Sequence, residues 1–231
     1  MKPRHIFLAI LVLSASLILS GCTNYDYEYF FSFKDEQDLS NANGTWILEC
    51  DYPDDYSFNS KGINLQNANL ACPWRFSGDI RVTVRFWLNV NEDYYYWLGL
   101  GLSDSTWWCG LPANDVHMDM EYLGYSDWEY HYIADHDTLD GEDAVHYEDD
   151  GAFKGLRKNG FNEYVLTKTG NKIVAKMNGV SFASFTLEEY DSEWFGPNLG
   201  SAYMNYQSPL YGATFESIKI EYSGSVSPMP D

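Results

Sequence analysis

The chain has 231 residues, 34 acidic and 14 basic, for a formal charge of −20 at neutral pH. A field of that sign repels nucleic acid and anionic lipid surfaces and excludes both as partners. Hydrophobic residues make up 45% and aromatics 17% of the chain, enough for the core of one β-domain with rings to spare.

Met1-Lys2-Pro3-Arg4 sets two cations ahead of an apolar run from Ile6 to Leu19. The run has signal-peptide length and is too short and wrongly flanked for a stable transmembrane span. It ends at Leu19-Ser20-Gly21-Cys22, which resembles the lipobox of bacterial lipoproteins. The resemblance implies that the Cys22 thiol takes a diacylglycerol and that Cys22 becomes the mature N-terminus. Acyl chains then hold the protein on a membrane. Thr23, rather than an aspartate, follows the cysteine, which by the sorting rule of envelope lipoproteins favours the outer membrane. The expected location is the cell envelope, lipid-anchored, at the outer membrane or cell surface.

Residues 1–21 therefore read as a signal peptide, 22–26 as a short tether, 27–222 as one β-sandwich domain and 223–231 as a disordered tail. The tail holds two prolines and little apolar content. Without residues 1–21, which hold Lys2 and Arg4, 12 basic residues face 34 acidic ones, a formal charge of −22. Cys50, Cys72 and Cys109 remain after Cys22, and an odd count in an oxidising compartment allows one disulfide and one free thiol. Cys50 with Cys72 is the preferred pair, since both lie early in the domain and close a short loop.

Almost nothing along the chain has helical period. Short alternating segments broken by Gly, Asn, Asp and Pro predict strands near 27–34, 45–50, 61–66, 78–90, 93–103, 114–123, 127–134, 162–169, 172–178, 181–187, 198–205 and 213–222. Asn178-Gly179 between two alternating segments predicts a tight hairpin. The segment 78–90 puts Ile80, Val82, Val84, Phe86, Leu88 and Val90 on one face and Arg81, Thr83, Arg85, Trp87 and Asn89 on the other. The segment 93–103 turns Leu98, Leu100 and Leu102 inward and Tyr95, Trp97, Gly99 and Gly101 outward. Taken as neighbours in one sheet, the two make a face of Arg81, Arg85, Trp87, Tyr95 and Trp97 beside bare glycines. Such a face suits a sugar ligand, or else is a polar outer face covered by loops.

Residues 115–124 send Val116, Met118, Met120 and Tyr122 to the core and project Asp115, His117, Asp119 and Glu121 from the opposite face. Like charges about 7 Å apart along a strand repel, so such a row needs water, a cation or a substrate cleft. The stretch resembles the catalytic strand of glycoside hydrolase family 16, in the concanavalin A-like lectin/glucanase superfamily. That strand reads Glu-x-Asp-x-Glu followed by an aromatic and often Leu-Gly. Asp119, Glu121 and Tyr122-Leu123-Gly124 match it, and His117 stands where the family has its nucleophile. A Phe-rich first strand, the long strand 78–90, the Asn159-Gly160 turn and a closing strand at Phe215–Ile220 extend the likeness as a pattern of elements. The resemblance implies an all-β fold, a concanavalin A-like jelly-roll β-sandwich, with Glu121 as acid/base, Asp119 at the position that in the family supports the nucleophile, and a polysaccharide or oligosaccharide as partner. Retaining glycosidases need two carboxyls about 5–5.5 Å apart, so a histidine at 117 puts the double displacement in doubt.

A second acidic stretch holds Asp135, Asp137 and Asp140 before Gly141. It reads as a solvated loop or as a weak calcium site; its spacing is not that of an EF-hand. No other cofactor is suggested. Three functions stay open: a glycan-binding lipoprotein with degenerate catalytic machinery, an active polysaccharide hydrolase or lyase using Glu121, and a structural or adhesion protein of the envelope.

Overall fold

A computed structural model describes residues 25–50, 52–89, 96–103, 115–122, 128–135, 155–157, 159–186, 194–203 and 212–229. In chain order its strands begin with β1 (Tyr27–Ser32), β2 (Ser40–Asn41), β3 (Gly44–Thr45), β4 (Ile47–Cys50), β5 (Tyr56–Asn59) and β6 (Gly62–Leu65). Next come β7 (Asn67–Ala71), β8 (Trp74–Ser77), β9 (Ile80–Asn89), β10 (Tyr96–Ser103), β11 (Asp115–Tyr122) and β12 (Trp128–Asp135). The last six are β13 (Gly160–Thr169), β14 (Lys172–Met177), β15 (Val180–Thr186), β16 (Trp194–Tyr203), β17 (Gly212–Tyr222) and β18 (Val226–Pro228). One turn of 3-10 helix, Glu36–Leu39, is capped by the Asp35 carboxylate, which accepts from the backbone N–H groups of Gln37 and Asp38.

Apart from β2 and β3, which pair only with each other, the strands form two antiparallel sheets. The first runs β15-β14-β13-β9-β17-β6-β5, with β1 also on β17; the second runs β12-β11-β10-β16-β7-β4, with β8 on β16 and β18 on β8. Alternation decides which side of each strand is buried. Along β9, Ile80, Val82, Val84, Phe86 and Leu88 are at most 3% exposed, while Arg81, Thr83, Arg85 and Trp87 face away from the core. Tyr164, Leu166, Ile173, Ala175, Phe215, Ile218 and Ile220 extend that inner layer. Leu70, Leu100, Leu102, Leu199 and Phe195 meet it from the second sheet in the same cluster. The chain is thus an all-β sandwich with one core between its sheets.

Two backbone devices hold the first sheet in register. Asn178 and Gly179 both adopt positive φ, at 50° and 81°, and close the expected hairpin between β14 and β15. A bulge in β17 falls between Phe215 and Ser217, opposite Phe86 and Arg85. Gly62 packs against it at φ 137°, where a Cβ would lie 2.0 Å from the Phe215 carbonyl oxygen.

Three expectations are corrected. Strands 78–90 and 93–103 are not neighbours: β9 pairs with β13 and β17, β10 with β11 and β16. Alternation says which side of a strand is buried but not which sheet it joins, and a crossing connection looks like a hairpin on that evidence alone. Secondly, Cys50 and Cys72 are not bonded to each other. Cys50 lies opposite Ala68 on β7. Cys72 is four residues further on, roughly 14 Å at strand rise, well past the Cα separation of about 7 Å that a disulfide spans. The Cys72 thiol is fully buried, and burial pushes its pKa up to about 12. Thirdly, residues 224–229 are not disordered. Val226–Pro228 pairs with β8, Met229 donates its N–H to the Pro73 carbonyl at 2.9 Å, and Met229 is 7% exposed. Its side chain fills the space that Gly196 leaves, where a Cβ would lie 2.3 Å from the Met229 Cε.

The faces of β9 can be checked by paired substitutions. Val84→Asp places an unpartnered carboxylate in the core and should cost about 3–5 kcal/mol in denaturant melts. Thr83→Asp, opposite Lys219 on the outer face, should cost under ~1 kcal/mol. Equal losses would mean that the faces are assigned the wrong way round.

Candidate functional site

Leu100, Leu102, Leu199 and Leu70 lie in the core, so the strand positions between them belong to the outer face of the second sheet. Reading straight across that face, the register aligns Glu49, Asn69, Gly200, Gly99, Asp119 and His131. The row on one side aligns Ile47, Ala71, Asn198, Gly101, His117 and Ile133. The row on the other aligns Asn67, Ala202, Trp97, Glu121 and Glu129. His117, Asp119 and Glu121 therefore share one face, as the alternation predicts, and Trp97 is the direct cross-strand neighbour of Glu121.

Between the acidic strand β11 and the amide-bearing strand β7 runs a floor of small residues: Gly99 and Gly101 on β10, Gly200 and Ala202 on β16. Two strand spacings separate β11 from β16, about 9–10 Å. Glycines at these positions let a flat group approach the backbone itself. Only Asn198 interrupts them. It is 1% exposed, and neither its amide nitrogen nor its amide oxygen has a hydrogen-bond partner among the described residues. Asn69, in the next row at 4% exposure, donates to the Glu49 carboxylate at 3.4 Å.

A buried amide that bonds to nothing costs stability, of order 1–3 kcal/mol. The contrast within this fold is Asn162, also buried at 2%. Its Oδ1 accepts from the Arg157 N–H at 2.7 Å and from Asn178 Nδ2 at 2.8 Å, and its Nδ2 donates to the carbonyls of Arg157 and Gly160 at 2.9 and 3.2 Å. Asn162 ties a turn together; Asn198 ties nothing. Sequence reasoning did not single out Asn198. The signal was present in Gly196-x-Asn198-x-Gly200, a small-residue alternation in step with Gly99-x-Gly101.

Arg81, Arg85 and Trp87 lie on the outer face of the first sheet, which points away from β11. Trp87 therefore does not share a face with His117, Asp119 and Glu121, whereas Trp97 does by register. All three first-sheet residues are engaged at home. Arg81 pairs with Glu221 at 3.5 Å and lies 4.8 Å over the Tyr25 ring. Arg85 pairs with Glu216 and lies 4.3 Å over Phe161. Trp87 meets Phe161 edge-on at 5.0 Å, with the Lys61 ammonium 4.2 Å over its ring. Lys219 sits between Glu28 and Glu221, at 3.0 and 3.1 Å, and hydrogen bonds to those carboxylates raise its pKa above the usual lysine value. Asp135 lies at the end of β12 opposite Asp115. Cys22, Tyr95, Asp137 and Asp140 lie outside the described residues.

No protein-family model and no curated protein sequence matches the chain. Solved structures do. The Crh5 transglycosylase in complex with NAG superposes with a TM-score of 0.55 at 13% identity, over 85% of this chain and 84% of that one. The CBM2 module of the evolved Dit of Lactobacillus casei BL23 phage J-1 gives 0.56 at 11% identity, over 87% and 92%. The pseudo beta-1,3-glucanase of Mycobacterium tuberculosis gives 0.52 at 12% identity, over 77% and 91%. Identities this low establish a shared fold, the concanavalin A-like jelly-roll β-sandwich that the resemblance implied, and leave the chemistry to the residues.

The two asparagines should respond oppositely to truncation. Asn162→Ala strands several backbone groups and should cost about 2–4 kcal/mol, whereas Asn198→Ala should be neutral or stabilising within ~1 kcal/mol. Thermal melts of both variants decide it; a large loss for Asn198→Ala would mean that its amide is bonded in the folded protein.

Proposed function

We propose that this chain is an exported lipoprotein, held on the membrane through an acylated Cys22, whose acidic sheet binds an oligosaccharide or polysaccharide without hydrolysing it. The observation that carries the reading is the row His117–Gly101–Asn198, with a bare glycine between an imidazole position and a buried amide lacking a partner. An amide offers one donor side and one acceptor side, and adjacent sugar hydroxyls offer the same in reverse. The desolvation cost of Asn198 is thus recovered when a ligand supplies both bonds. Trp97, one row away on the same face, is the stacking surface for a sugar ring.

The non-hydrolytic part of the reading rests on His117. A retaining mechanism needs a carboxylate nucleophile beside the acid/base, and the resemblance puts an imidazole there. Catalysis by Glu121 with Asp119 is the second reading, favoured by their places two residues apart on one face. Location in the cell envelope, at the outer membrane or cell surface, follows from the lipobox resemblance and Thr23.

Binding and product release, measured together on a polysaccharide panel, separate the readings. The wild type should bind at least one glycan and release no product. Trp97→Ala and Asn198→Ala should each weaken binding about tenfold, near 1.4 kcal/mol. Product formation that disappears in Glu121→Gln would replace the binding protein with an enzyme. Failure to bind any glycan would leave a structural or adhesion role. Mass spectrometry of membrane-extracted protein should find an acylated Cys22 at the N-terminus; an unmodified chain starting elsewhere contradicts the anchor.

A further inference from the structure

The charge of this protein is divided between its two outer faces. On the second sheet that face carries Glu49, Asp115, Asp119, Glu121, Glu129 and Asp135 by register, with Arg75 on β8, over the Trp194 ring, as the one Lys or Arg among its described strand positions. On the first sheet it carries Lys61, Arg81, Arg85, Lys172, Lys176 and Lys219, half of the 12 basic residues beyond position 21. Against them stand Glu28, Glu163, Glu216 and Glu221, with Asp26 at the rim. Lys172 and Lys176 are exposed and form no ion pair among the described residues. Phe30 lies in the same cross-strand row as Lys219, Thr83, Val165 and Lys176, and is 53% exposed on this face.

The chain enters the fold on this side. Tyr25 packs beneath the Arg81 guanidinium, and Cys22 precedes it by three residues, a reach of at most about 11 Å. We propose that the tethered domain rests with the outer face of its first sheet against an anionic phospholipid surface and turns its acidic sheet away from it. This rests on the reading of Cys22 as the lipid anchor. An exposed aromatic among lysines and arginines is the composition that lipid headgroups accept.

The net charge of −22 excludes attraction averaged over all orientations, but a tethered domain does not sample them equally. The Debye length is about 8 Å at physiological salt, and two sheets with their side chains are more than about 20 Å thick. Headgroups therefore feel the near face while the far carboxylates are screened. In this pose the outer face of the second sheet, with Asn198 in it, is turned away from the membrane.

Lysine footprinting tests the orientation without altering the surface. The full chain from residue 22, tethered by an N-terminal polyhistidine tag to nickel-chelating vesicles, is acetylated on phosphatidylcholine and on phosphatidylglycerol-containing vesicles. Mass spectrometry then reads each lysine. Modification of Lys172 and Lys176 should slow about threefold or more on the anionic vesicles and return to the solution rate in high salt, and in the variant carrying both Lys172→Glu and Lys176→Glu the remaining exposed lysines should stay at the solution rate on both vesicles. Equal rates on both vesicles, or slowing that survives high salt, would overturn the proposal. The tag replaces the acyl chains, so an unmodified Cys22 in the natural protein would refute the anchor, while equal rates here refute the orientation.

Discussion

Every strand of this molecule has two sides, and the core takes one of them. Val84, Phe86, Phe215 and Ile218 from the first sheet meet Leu70, Leu100 and Leu199 from the second, all within 1% of full burial. Each such side chain contributes about 1.5–3 kcal/mol by leaving water, so no strand can turn its apolar side outward without large loss. Polar chemistry is confined to two outer faces that point in opposite directions. What those faces can do depends on which strands share a sheet.

The first sheet binds much of its outer face to itself and leaves Lys172, Lys176 and Phe30 exposed. Arg81, Arg85, Lys219 and Trp87 are bound into carboxylates and rings of their own sheet, and the bulge in β17 brings Glu216 to Arg85. The second sheet has the opposite character. Glycines occupy its centre, acidic residues take alternate positions of β11, and Asn198 is buried with no hydrogen-bond partner among the described residues. A fold can tolerate one such loss where a ligand makes the missing bonds, and the proposed glycan site is built on that imbalance.

Much of this was legible in the residues. Alternation in 80–88 sorts inner from outer positions correctly, because burial acts on each strand separately. Asn178-Gly179 marks its hairpin because few other pairs accept two positive φ values in succession. The pairing of strands was not legible. β9 and β10 are adjacent in sequence and lie in different sheets, a choice made by the whole core rather than by either segment. β18 escaped notice because edge pairing and the single Met229 anchor hold it, not a hydrophobic pattern. Asn198 was invisible for a related reason: an amide becomes conspicuous only when its neighbours prove to be glycines.

The account turns on the glycine floor of the second sheet as the ligand-bearing surface. Nuclear magnetic resonance titration with the tightest-binding oligosaccharide of the panel tests this most directly, reading the Asn198 side-chain amide together with the backbone amides of Gly99, Gly101 and Gly200. Those resonances should shift together and saturate with the binding isotherm, while Thr83, Arg85 and Val165 on the opposite sheet stay in place. Shifts confined to the Arg81, Arg85 and Trp87 face, with Asn198 unmoved at saturation, would contradict the account.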